Sequence, residues 1–94
     1  FSAAKIYIDQ GASKALKSGK SLLPSGVIKV AGTFKKGDNI LIVDNNGVDI
    51  ARALSSFTSN EIDKIKGLQS NQIENILGYS SKSEIIHKDD IVIL

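Results

Sequence analysis

The 94-residue sequence predicts one mainly β domain with short helices on its connections. Three observations predict it. Isoleucine occurs 14 times, and β-branched side chains suit the pleated, half-buried surface of a strand. The apolar runs are short and are separated by clusters of Gly, Asn, Asp and Ser, the punctuation of strands rather than long helices. The few helix-like segments each end at a glycine, at Gly19, Gly67 and Gly78, the usual residue just past a helix C-terminus. The length suits a single core, and no linker, low-complexity stretch or internal repeat divides it. With no cysteine, the fold rests on packing, without disulfides or Cys-ligated metals.

The elements follow in order. Lys5–Ile8 reads as a short strand. Asp9 is placed to cap a helix over Gly11–Ser18, with Ala12, Ala15 and Leu16 on one face, Lys14 and Lys17 on another, and Gly19 at its end. Lys20–Gly26 is a turn-rich connection. Val27–Phe34 alternates, with Ile28, Val30 and Phe34 expected on the buried face. Ile40–Val43 is a continuous apolar run, the pattern of a central strand covered on both faces. Asn46-Gly47 calls for a tight hairpin with positive φ at both central positions, and the return strand runs from Val48 to Leu54. Thr58 with Glu61 forms a capping box for a helix closed by Gly67. Ser70 is expected to cap a further helix carrying Ile73, Ile76 and Leu77 and closed by Gly78. Ile85-Ile86 and Ile91–Leu94 complete a tally of about six short strands and three short helices.

Several activities find no support in the residues. Gly19-Lys20-Ser21 resembles the end of a phosphate-binding loop, but the required glycine five residues earlier is Lys14, and the segment leaves a helix instead of entering one. His87, Asp89 and Asp90 suggest a metal triplet, yet no second His and no Cys supports one. Twelve serines and one histidine do not make a nucleophile–base pair. No apolar run approaches the ~18–20 residues that span a bilayer. The chain opens on Phe1 and contains no methionine, so it is expected to be a piece of a longer polypeptide.

The net charge of +2 conceals an asymmetry. Residues 1–36 carry seven lysines against Asp9, and residues 37–94 carry five basic groups against nine acidic ones. Lys14, Lys17 and Lys20 cluster on the first helix and the loop after it. Such a patch grips a phosphate backbone, forms a solvated face, or meets an acidic neighbour domain. Five aromatic residues provide little stacking platform for single strands.

The series Asp9–Ala12, Lys20–Val27, Gly32–Asp38, Ile50–Arg52, Ile73–Tyr79 and Ile86–Asp90 resembles the C-terminal PUA domain of bacterial glutamate 5-kinases over nearly the whole chain. It departs at Ala53, where that family usually has glycine. The resemblance implies a PUA-type β-pseudobarrel of about six strands, spanning residues 1–94 as one domain. It also implies an N-terminal amino-acid-kinase domain, absent here, that phosphorylates the γ-carboxylate of glutamate with MgATP on the way to proline. On that basis the chain itself holds no catalytic residue, cofactor or metal. Its expected partners are the kinase domain of the same polypeptide within a cytoplasmic homo-oligomer, with no membrane involved, and a regulatory or assembly role follows. PUA domains of RNA-modifying enzymes bind RNA through the first helix and the loop and strand after it. By that likeness the candidate contacts to structured RNA or phosphate are Lys14, Lys17, Gly19, Lys20, Gly26 and Lys29.

Overall fold

The chain first enters the sheet at β1 (Lys5–Ile8) and then forms α1 (Gln10–Lys17), β2 (Val27–Ala31), β3 (Asn39–Val43) and β4 (Asp49–Leu54). Next come α2 (Ser59–Ile65), α3 (Ile73–Leu77) and β5 (Ile91–Ile93). The computed structural model describes residues 4–79 and 82–94. The five strands make one mixed sheet in the order β2-β1-β3-β4-β5, parallel between β1 and β3 and antiparallel at the other pairings.

Among the described residues the strands number five, close to the expected six. Ile85 and Ile86, expected as a short strand, are fully buried, but two residues leading into a turn are too short for a ladder. They form one isolated bridge, Ile86 with Leu22, in which the Leu22 N–H donates to the Ile86 carbonyl at 2.9 Å.

β3 is central in the sheet, as the apolar run predicts, with Ile40, Ile42 and Val43 buried, but Leu41 is only half-buried, so its two faces are not equally covered. The core around it includes Ile6, Ile8, Leu16, Phe57, Ile62 and Ile65. β2 differs from expectation. It stops at Ala31 because Gly32 turns the chain at φ 78°. Ile28 lies 50% exposed, because a bulge pairs Ile8 with Val27 and Tyr7 with Lys29 and leaves Ile28 without an opposing residue.

The β3–β4 hairpin also closes by another route. Only Gly47 has positive φ; Asn46 does not. Asp44 makes the difference, since its Oδ1 accepts from the N–H groups of Asn46 (2.9 Å) and Val48 (3.0 Å). The Gly47 N–H donates to the Asp44 carbonyl. This is the longer turn with one left-handed glycine, not the two-residue primed turn.

Thr58 and Glu61 form the expected capping box on α2. Ser70 is not a cap: it begins a 3₁₀ turn, Ser70–Gln72, in which the Gln69 N–H donates to Gln72 Oε1. α3 follows directly and buries Ile73 but leaves Ile76 49% exposed, since five residues complete little more than one turn.

Candidate functional site

Local chemistry in the first third builds one wall of a groove. Asp9 accepts from the Ala12 N–H at 2.8 Å and caps α1, and its own N–H donates to the Gly26 carbonyl at 3.0 Å. At the other end Gly19 adopts φ 82°. Its N–H reaches the Leu16 carbonyl and that of Lys20 reaches Ala15, the paired bonds that terminate a helix through a left-handed glycine.

The loop after α1 is then pinned to the C-terminal segment. Ser21 Oγ accepts from the Lys88 N–H at 2.8 Å, next to the Leu22–Ile86 bridge. Between α1, this loop and residues 84–88 opens a groove of about 730 Å³.

Of the six residues singled out in the sequence, Gly19, Lys20 and Gly26 line this groove. Lys14 and Lys17 do not; they project from the exposed face of α1. Lys29 lies on β2, its ammonium 4.4 Å from the centre of the Tyr7 ring, a cation–π contact on the sheet. The groove's second lysine, Lys88, comes from the far end of the chain, together with His87. From the sequence that segment reads as a turn in preference to a metal site, and nothing there brings Lys88 next to Lys20. Two carboxylates, Asp9 and Glu84, share the lining, so Lys20 and Lys88 stand in a charge-balanced setting.

The two glycines differ. A Cβ on Gly19 would meet nothing within 4 Å, leaving the backbone open to a ligand. A Cβ on Gly26 would lie 2.5 Å from Ala12 Cβ. The close approach that Gly26 permits is taken up by α1 itself.

His87 works as a turn residue. Its Nδ1 accepts from the Asp89 N–H at 3.1 Å and caps the 3₁₀ turn Lys88–Asp90. Among the described residues no three His, Cys, Asp or Glu side chains gather as metal ligands, and no helix is long and apolar enough to cross a membrane.

A smaller hollow of about 460 Å³, lined in part by Lys36, Ser55 and Tyr79, lies elsewhere on the surface. Beside it the Tyr79 hydroxyl donates to Glu61. Partial burial acts to raise the Glu61 pKa, but bonds from the Thr58 N–H and from the Tyr79 and Thr58 hydroxyls, with the charge of Lys36, together hold it below the ordinary value. The same bond to Glu61 raises the pKa of the Tyr79 phenol.

Comparison with known proteins locates the chain. A family model described as the PUA domain matches residues 4–77. Curated relatives named glutamate 5-kinase include one from Pelagibacter ubique, 60% identical over 93% of the chain. Others are from Bartonella henselae, 51% identical over 94%, and Caldanaerobacter subterraneus, 49% identical over 95%. The chain spans about a quarter of the length of these relatives, 23–24%. Among solved structures, an Aeropyrum pernix PUA domain aligns with 88% of the chain and 41% of its own length, at TM-score 0.63 and 18% identity. A chain of the archaeal box H/ACA sRNP Nop10–Cbf5 complex aligns with 98% of this chain and 23% of its own length, at TM-score 0.64 and 20% identity.

Proposed function

The chain belongs to the PUA domain family, and from that premise we propose that it is the non-catalytic PUA domain of a glutamate 5-kinase. The carrying observation is identity of 49–60% with kinases of that name over 93–95% of the chain. In this reading the phosphoryl transfer from MgATP to glutamate takes place in the amino-acid-kinase domain of the same polypeptide. The PUA domain needs no cofactor and serves regulation or assembly of a cytoplasmic homo-oligomer.

The test compares the full-length enzyme with a version cut before residue 4, measuring glutamate phosphorylation, feedback inhibition and assembly. The expected result is activity retained in the cut enzyme with altered regulation or assembly. Identical behaviour of both forms overturns the regulatory role, and abolished chemistry with intact assembly overturns the non-catalytic assignment.

A second reading has its own support. The groove presents Lys20 and Lys88 beside Gly19, whose missing side chain leaves room for close approach, an arrangement suited to phosphate oxygens. One structural neighbour is a component of an sRNP. On this reading the groove binds structured RNA, with Lys20 and Lys88 as point charges on its backbone.

A further inference from the structure

A second surface carries an inference that rests on the kinase-domain reading. Cross-strand register places Ala31, Lys5, Leu41, Arg52 and Val92 in one row across all five strands. Directly paired residues point to the same face of a sheet, and residues two apart along a strand share it. In the adjacent row Ile6, Ile42 and Ala51 are fully buried, and exposure rises only at the sheet edge, where Ile93 is 43% exposed. The row of Arg52 therefore lies on the outer face, joined by Leu54 and Tyr7. Among the described residues this face stays open around Arg52, where Val92 is 65% and Leu54 41% exposed, and it is covered only farther along at Val43.

The cations on this face differ in their engagement. Lys5 reaches Asp49 at 3.8 Å, and Lys29 rests on Tyr7. Arg52 is the sole arginine of the chain, set between Leu41 and Val92. Its guanidinium makes no hydrogen bond or ion pair among the described residues. A planar fork amid apolar side chains matches a carboxylate bidentately, and arginine is enriched among the residues that dominate protein interfaces.

We propose that this outer sheet face docks the kinase portion of the same polypeptide, a carboxylate of that portion engaging Arg52 and apolar side chains covering Leu41, Leu54 and Val92. Two observations favour this occupant over a free partner. The relatives carry roughly three-quarters of their length outside the matched segment. The backbone enters the sheet at Lys5, in the row of Arg52 itself, so whatever precedes β1 is tethered beside this face at high effective concentration.

The test uses the full-length polypeptide with Arg52→Glu, Val92→Asp, Arg52→Lys and, as a control on the exposed face of α2, Lys64→Glu. Protease cleavage at the junction before residue 4 reports domain opening, and small-angle scattering and sedimentation report arrangement and mass. Circular dichroism melts identify variants that remain folded. Arg52→Glu and Val92→Asp are expected to speed junction cleavage about tenfold or more and to expand the particle. Arg52→Lys, which keeps the charge but loses the fork, has a smaller effect, and Lys64→Glu has none. Unchanged cleavage and scattering in folded Arg52→Glu and Val92→Asp overturn the proposal. A halved mass with unchanged cleavage overturns it in favour of contact between copies. Glutamate phosphorylation by the same samples tests the parent reading separately: an active enzyme indifferent to both substitutions refutes only the docking face, and faster cleavage in a polypeptide without that activity keeps the face and refutes the kinase assignment.

Discussion

Gly26→Ala tests the packing that shapes the groove. The added Cβ would sit 2.5 Å from Ala12 Cβ, against the ~3.5–4.0 Å at which carbon atoms pack, so one backbone must retreat by about 1 Å or more. Neither is free to do so. Gly26 is buried and accepts from the Asp9 N–H, while Asp9 caps the turn that carries Ala12. Overpacking of this kind costs about 1–3 kcal/mol. Gly26 does not have positive φ, so alanine restricts the unfolded chain and returns about 0.4–1 kcal/mol. The net expectation is destabilisation by about 1–2 kcal/mol, or a Tm about 5–15 °C lower for a domain of this size. Thermal and urea melts followed by circular dichroism measure it. Ala12→Gly alone weakens α1 by about 1 kcal/mol, yet it removes the colliding methyl. The double variant should therefore be more stable than the sum of the single effects by about 1 kcal/mol. A Gly26→Ala domain that melts at or above the parent temperature, or a double variant that is simply additive, refutes the reasoning.

Two further outcomes follow from the site chemistry. The Glu61 pKa is lowered in the folded state, so this carboxylate contributes stability above its ordinary value of 4.5 that is lost as pH falls through its folded value. Glu61→Gln should flatten that part of the acid limb in urea midpoints measured from about pH 7 to about pH 3, and an unchanged acid limb counts against the assignment. For the RNA reading, Lys20→Glu and Lys88→Glu should weaken mobility shifts of structured RNA and lower the salt slope by about one per lost phosphate contact. Lys14→Glu and Lys17→Glu, outside the groove, should matter less. Absence of binding at low salt, or equal effects at all four positions, refutes it.

The elements legible in the sequence are those whose determinants lie within a few residues of one another. Asp9 and Ala12, Thr58 and Glu61, and the glycines at helix ends act across one turn of chain, and a linear reading captures such interactions directly. Alternation fails where a strand's partner changes the count. Nothing within Val27–Phe34 announces that a bulge opposite Tyr7 and Ile8 would turn Ile28 outward. The Asn46-Gly47 pair is read correctly as a turn but assigned the wrong geometry, because the two bonds accepted by Asp44 compete with the primed turn and prevail.

The groove was legible only on one wall, for a related reason. Lys14, Lys17 and Lys20 are close in sequence, but a helix turns about 100° per residue. With Leu16 buried, Lys14 and Lys17 are carried to solvent, whereas Lys20 lies beyond the helix end, where Gly19 redirects the chain. Its groove-mate Lys88 arrives through hydrogen bonds spanning more than sixty residues, the Leu22–Ile86 backbone bridge and the Lys88 N–H to Ser21 Oγ. These bonds depend on burying Leu22 against Ile85 and Ile86, all three nearly or fully inaccessible. The apolar residues between the polar ones therefore decide which charges meet in the groove, which a count of lysines along the first third of the chain does not reveal.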